Sequence, residues 1–178
     1  MITRRQLATI IPGDVDVIIG VHKQILNKLL QGPLPNMEIE EASDVSLKMV
    51  LSVYEEFIPL FDDAYLDYCS RYGASAAEVM SLVKNNKQFK NFIEKAAQNT
   101  NTEVESLLIK PVQRLYKYPL FFRDLRKKVP NNHPSTTLVD RVVQLIGTCA
   151  SNVNKSITET VCYHISMIKS SLLVIMKR

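Results

Sequence analysis

The sequence predicts an all-α fold, an elongated antiparallel bundle of five to six helices. Apolar residues recur at three- and four-residue steps along most of the chain, and no strand-length run alternates apolar with polar residues. Clusters of Pro, Gly and Asn are confined to a few short stretches, which cut the chain into helix-sized pieces.

The pieces follow in order. After a basic opening, residues 14–30 (DVDVIIGVHKQILNKLL) carry Val17, Val21, Ile25 and Leu29 at i, i+4 spacing, with Asp14 as N-cap behind Pro12-Gly13. QGPLPN ends that helix, and Ser43 or Asp44 caps the next. Residues 45–70 place Val50, Tyr54, Phe57, Phe61, Tyr65 and Tyr68 at helical steps, with Pro59 as a kink or a join. Tyr72-Gly73 marks a break. Beyond it, Ala76, Val79, Leu82 and Val83 form an apolar face that Phe89, Phe92 and Ile93 continue after KNNK. NTNTEV supplies caps for residues 106–128, VPNNHPSTT ends that segment, and a long last helix runs from about Leu138 to the C-terminus.

Composition narrows the function. A chain of 178 residues is the size of one domain, and it can bury roughly 70% of its unfolded surface without disulfide or metal staples. Its 22 basic and 18 acidic residues form no dense basic run, which argues against nucleic acid as a partner. Cys69, Cys149 and Cys162 are odd in number and far apart, and His22, His133 and His164 are scattered. That excludes a zinc site and a disulfide framework and points to a reducing cytoplasm. No signal peptide and no apolar run near 18 residues is present, and the closing SLLVIM is too short to span a bilayer. No P-loop, nucleophile elbow or HExxH motif occurs. A conventional enzyme is therefore not expected, and neither is a cofactor or a resident metal. Asp62 and Asp63 are read as carboxylates on a solvated helix face.

The segment SLLIKPVQRLYKYPLFFRDLRKK, residues 106–128, carries the strongest signal. At about 100° per residue, Leu108, Val112, Leu115, Pro119 and Phe122 fall on one stripe, a core face. Lys110, Arg114 and Lys117 form a second stripe. Between them lie Ile109, Gln113, Tyr116 and Leu120, a mixed surface away from the core. Periodicity alone fits this surface to a further helix of the bundle or to a partner. Two interior prolines, Pro111 and Pro119, would cost about 3 kcal/mol each unless context compensates; they are read as shaping the helix.

LLIKPVQRLYKYPLFFRDL resembles the most characteristic block of the Dbl-homology domain, approximately L-[IL]-x-P-[VI]-Q-R-[LV]-x-[KR]-Y-P-L-L-L-x-E-L. Pro111, Val112, Gln113, Arg114, Leu115, Lys117, Tyr118, Pro119, Leu120 and Leu125 match, while Phe121 and Phe122 replace leucines and Asp124 replaces Glu. Tyr65, Tyr68, Cys69, Phe89 and Phe92 match the preceding block, and CASNVNKSI resembles the late helix, where Asn154 takes the Asn position. The resemblance covers the whole chain, so residues 1–178 are expected to form a single Dbl-homology-like domain.

That resemblance implies a guanine-nucleotide exchange domain for a Rho-family small GTPase. Such a domain remodels the GTPase switch segments and promotes GDP release without covalent chemistry. By position, Lys117 and Asn154 are the catalytic residues, hydrogen-bonding the second switch. Gln113 lies at the contact surface, Arg114 contacts or supports it, and Ile109 faces the strand read for specificity, with a Rac-like partner favoured. No cofactor is implied. The setting is cytoplasmic, with any recruitment to membrane or cortex assigned to regions outside this chain. The family's first block, a helix bearing a Glu for the first switch, has no counterpart in residues 1–30. Nor does the usual pleckstrin-homology domain follow. Either the chain is a fragment that begins past that first block, or it starts without that helix, and the second case implies a groove left open for a second copy, another subunit or a rearranged helix. The alternative reading is a catalytically weak scaffold that binds a GTPase or another signalling partner.

Overall fold

The computed structural model describes residues 2–12, 15–32 and 39–176, without the side chains of 39–42 and 159–176. The N-cap expected at Asp14 and the side chains of Cys162 and His164 therefore lie outside the described residues. Eight helices and no strand are present among them: α1 (Arg4–Ile10), α2 (Val15–Leu30), α3 (Ile39–Phe57), α4 (Pro59–Asn85), α5 (Lys87–Thr100), α6 (Val104–Leu108), α7 (Lys110–Lys128) and α8 (Thr136–Met176). The count exceeds five to six because α1 and α6 are separate short helices and two long periodic runs divide at single residues.

Each division has a local cause. Pro59 stands in the first turn of α4, where its missing N–H needs no partner, so it is a join between α3 and α4. Ile58 between them keeps right-handed helical dihedrals, φ −55° and ψ −39°. α4 runs straight through Gly73, where the sequence predicts a break. A glycine costs a helix only about 1 kcal/mol relative to alanine, and the buried Tyr68, Cys69, Ser75 and Val79 hold this one on both sides. The break falls instead at Asn86, extended at φ −130° and ψ 97°, whose side chain accepts the Phe89 N–H at 3.0 Å. α5 ends on Asn101 in the left-handed region, φ 49°, a position asparagine tolerates. α1 opens with a capping box in which Thr3 Oγ1 accepts the Gln6 N–H at 3.1 Å and Gln6 Oε1 accepts the Thr3 N–H at 2.9 Å. α3 begins at Ile39, so Ser43 and Asp44 are inside it and cap nothing. Asp44 Oδ1 instead meets His133 Nε2 at 3.0 Å, while His133 Nδ1 accepts the Ser135 N–H.

The core sits where α2, α3, α4, α7 and α8 meet, and α8 packs along α3, α4 and α7. Tyr65, Phe61, Phe122, Leu51, Ile58, Leu115 and Ile146 are its largest fully buried side chains. Each contributes about 1.5–3 kcal/mol of apolar burial. On α2 the buried stripe is Ile18, Val21 and Ile25, with Leu29 at its edge; Val17, expected on it, is exposed. The stripe starts one residue later because the 3.6-residue period fits both phases and contact with α3 and α4 selects one. A second cluster joins Ile10 of α1, Val79 and Leu82 of α4 and Phe89 of α5. There the buried Ser75 hydroxyl donates to the Ile10 carbonyl. Phe92, expected to continue that face, is 67% exposed.

Candidate functional site

α7 is one of two helices, not one helix with two interior prolines. α6 ends at Leu108, Ile109 bridges at φ −78° and ψ −18°, and Pro111 lies in the first turn of α7. There the ring costs nothing, because first-turn N–H groups have no intrahelical partner. Only Pro119 is interior, where it withdraws one N–H from the helical ladder. The far end is tied to α8: Arg126 Nε–H donates to Asp140 Oδ1 at 2.5 Å, and its Nη1 donates to the Val129 carbonyl at 2.9 Å. Arg126, Lys127 and Lys128 also complement the C-terminal end of the helix dipole.

The inward stripe is as periodicity predicts, with Leu115 and Phe122 fully buried and Val112 packed at the edge. Tyr118 is buried as well, although it lies off that stripe. Its ring meets Phe61 at 5.4 Å, Tyr54 at 5.7 Å and His22 at 6.1 Å between centroids. The mixed outer face is present: Gln113, Arg114, Tyr116, Lys117 and Leu120 are exposed and Ile109 is half-buried.

Three of the five expected site residues come together. Gln113, Arg114 and Lys117, with Lys110 and Pro111, line a surface cavity of about 320 Å³ closed by Ile18 of α2 and Tyr65 of α4. The lining holds three cations and no carboxylate. Among the described residues, Lys110, Arg114 and Lys117 make no ion pair. Ile109 and Asn154 stand outside that lining. Asn154 is exposed on α8, and its carbonyl accepts the Thr158 hydroxyl at 2.9 Å. On the other side of Arg114 a groove of about 370 Å³ runs along α2, lined mainly by Ile18, Ile19, Ile25, Leu26 and Leu29 and bordered by His22, Tyr54 and Arg114.

Beneath Arg114 lies a polar chain that sequence reasoning missed. Arg114 Nε–H donates to Tyr118 Oη at 2.8 Å, Tyr118 Oη lies 3.5 Å from His22 Nδ1, and His22 Nε2 lies 2.6 Å from Tyr65 Oη. Burial, then the Arg114 charge, lowers the His22 pKa from 6.5 to about 4, so the imidazole is neutral. Burial pushes the Tyr118 phenol up to about 12. The Arg114–Tyr118 spacing of four residues was the available signal, since it puts a phenol one turn below a guanidinium.

Two other expectations change. Asp62 is half-buried rather than solvated: its carboxylate hydrogen-bonds with the buried Cys149 thiol, and one of its oxygens accepts Asn152 Nδ2–H at 3.3 Å. Asp63 is exposed. Cys69 and Cys149 are buried free thiols, and burial pushes Cys69 up to about 11, far from a reactive thiolate. Among the described residues, no three His, Cys, Asp or Glu side chains are placed to hold a metal ion, and no helix is long and apolar enough to cross a membrane.

Comparison with known proteins agrees with this architecture. The family model of the RhoGEF domain matches residues 1–154. The human neuroepithelial cell-transforming gene 1 protein is 25% identical over 155 residues, covering 85% of this chain and 24% of that protein. The mouse phosphatidylinositol 3,4,5-trisphosphate-dependent Rac exchanger 1 protein is 29% identical over 149 residues, 81% of this chain and 8% of that protein. The chain thus spans a quarter or less of the length of these two relatives. A solved structure of the Vav1 exchange factor superposes with a TM-score of 0.71 at 19% identity, over 86% of this chain and 40% of that one, and so shares the fold. With the α7 motif, the bundle and the family match in agreement over most of its length, the chain belongs to the RhoGEF domain family.

Proposed function

We propose that this chain, as a single domain over residues 1–178, is a guanine-nucleotide exchange domain that binds a Rho-family GTPase and promotes its GDP release. The observation that carries the proposal is the gathering of Gln113, Arg114 and Lys117 around one carboxylate-free cavity in a RhoGEF-family bundle. Cations without an internal carboxylate to neutralise them keep their charge for an incoming surface, and they steer association with a partner that presents carbonyls and carboxylates. In this reading Lys117 and Asn154 are catalytic: their N–H donors hold the second switch away from its nucleotide-bound position. Gln113 and Arg114 complete the contact, and Ile109 meets the strand that distinguishes GTPases.

No covalent bond to the protein forms in this reaction. The domain accelerates release because it binds the nucleotide-depleted GTPase more tightly than the GDP-bound one. Each tenfold preference is worth about 1.4 kcal/mol. The finer expectations belong to the same proposal: a Rac-like partner, supported by Ile109 and by a relative named as a Rac exchanger; a cytoplasmic setting with recruitment by neighbouring regions; and self-association along the α2 groove. Release of fluorescent GDP from a panel of Rho-family GTPases tests the core of it. Acceleration that Lys117→Ala with Asn154→Ala reduces at least tenfold supports the proposal. Binding to panel members without acceleration of any would favour a scaffold.

A further inference from the structure

We infer that His22 is a positioning residue for this exchange surface, acting through Tyr118 to fix the Arg114 guanidinium at the wall between the two cavities. The inference rests on the reading of the α7 face as the GTPase-binding surface, and it concerns residues contributed by three separate helices.

Tyr118 Oη accepts Arg114 Nε–H at 2.8 Å, so its own proton must be directed elsewhere. His22 Nδ1, 3.5 Å away, is an acceptor whenever the neutral ring carries its proton on Nε2. That tautomer places Nε2–H against Tyr65 Oη at 2.6 Å. In that tautomer donation runs in one direction, from Arg114 to Tyr118 to His22 to Tyr65, with the Tyr54 phenol as a second hydrogen-bond partner of Tyr118, and hydrogen bonds aligned in this way reinforce one another. The rings hold the arrangement: His22 and Tyr118 are stacked within 16° of parallel, and His22 packs on Phe61 with centroids 5.4 Å apart.

The consequence lies at the surface. Arg114 borders both the cationic cavity and the apolar groove, and its long side chain would otherwise sample many rotamers. One anchored Nε and a guanidinium lying 5.5 Å over the Tyr118 ring restrict it. The two Nη groups stay available as donors of fixed direction. A partner that engages a pre-placed donor does not pay for immobilising it. Loss of the anchor therefore weakens capture of the GTPase and leaves the release step itself intact.

The test uses Tyr118→Phe, which keeps the ring and removes the oxygen, and His22→Phe, with His22→Gln as a second variant should the first fold poorly. GDP-release kinetics are measured against GTPase concentration, together with the 15N–1H resonance of Arg114 Nε. Both substitutions are expected to raise apparent KM about 3- to 10-fold with kcat within twofold, equivalent to about 0.7–1.4 kcal/mol. They are also expected to be non-additive with Arg114→Ala and to shift the Arg114 Nε–H resonance towards that of a solvent-exposed arginine. His22→Gln, which keeps a side-chain acceptor, should recover part of the KM change. An unchanged KM, a fall confined to kcat, or additive effects would overturn the inference. Lys117→Ala separates the two ways of failing. If Lys117→Ala slows release and the Tyr118 and His22 variants do not, the relay alone is wrong. If none of them affects release, the exchange-surface reading is wrong and the inference falls with it.

Discussion

Acidification destabilises this fold through His22 in a calculable way. The imidazole is half-buried among Phe61, Tyr65 and Tyr118, with the Arg114 guanidinium behind Tyr118. Burial and that charge lower its pKa from 6.5 to about 4. Below pH 6.5 the unfolded chain takes up a proton that the folded chain refuses until about pH 4. Stability is therefore full above pH 6.5, falls as the pH drops towards 4, and levels off below. A difference of about 2.5 between the two values corresponds to about 3.4 kcal/mol at 1.36 kcal/mol per pH unit. The site is open enough for solvent screening to reduce this to about 1–2 kcal/mol. Urea unfolding of the native chain and of His22→Gln at pH 7.5 and 4.5 isolates the effect, since the carboxylates are common to both. The native chain should lose about 1–2 kcal/mol more than the variant on acidification. Equal losses, or a smaller loss in the native chain, would refute the reasoning.

Two further predictions concern the bundle. Phe122→Ala empties a fully buried position between α7 and α3 and should cost about 3–5 kcal/mol in denaturant unfolding; a cost below 1 kcal/mol would show that α7 does not pack as described. Gly73→Ala should raise stability by about 0.5–1 kcal/mol, because Gly73 lies inside α4 and a Cβ there meets nothing within 4 Å. A loss of stability instead would place a turn at this residue.

Local periodicity carried much of the fold. Leu115 and Phe122 could be assigned to the core from spacing alone, because α7 is packed on one broad face and that signal repeats every turn. Punctuation was harder to read. Gly73 looked like a break and is not, since tertiary packing outweighs a glycine's cost, while the interruption read at KNNK is real and falls at Asn86, whose side chain caps α5. Pro111 looked interior until Ile109 proved to be a joint between two helices. Of the candidate site, the grouping of Gln113, Arg114 and Lys117 at one cavity was legible because they share one helix and one motif. The support beneath them was not: Tyr118 and His22 are separated by 96 positions, and Tyr65 comes from a third helix. No window along the chain contains that contact. Asn154 was proposed only by resemblance, and it stands outside the cavity that the other three line.

The central claim is that the α7 surface prefers a GTPase stripped of its nucleotide. Calorimetric titration of the chain with one Rho-family GTPase, first GDP-loaded and then nucleotide-depleted, measures this directly. The account predicts at least a 100-fold tighter dissociation constant for the depleted form, about 2.8 kcal/mol, and a preference that shrinks at least tenfold in Lys117→Ala. Equal affinity for the two forms would contradict it, because a surface that binds both states alike cannot drive GDP out.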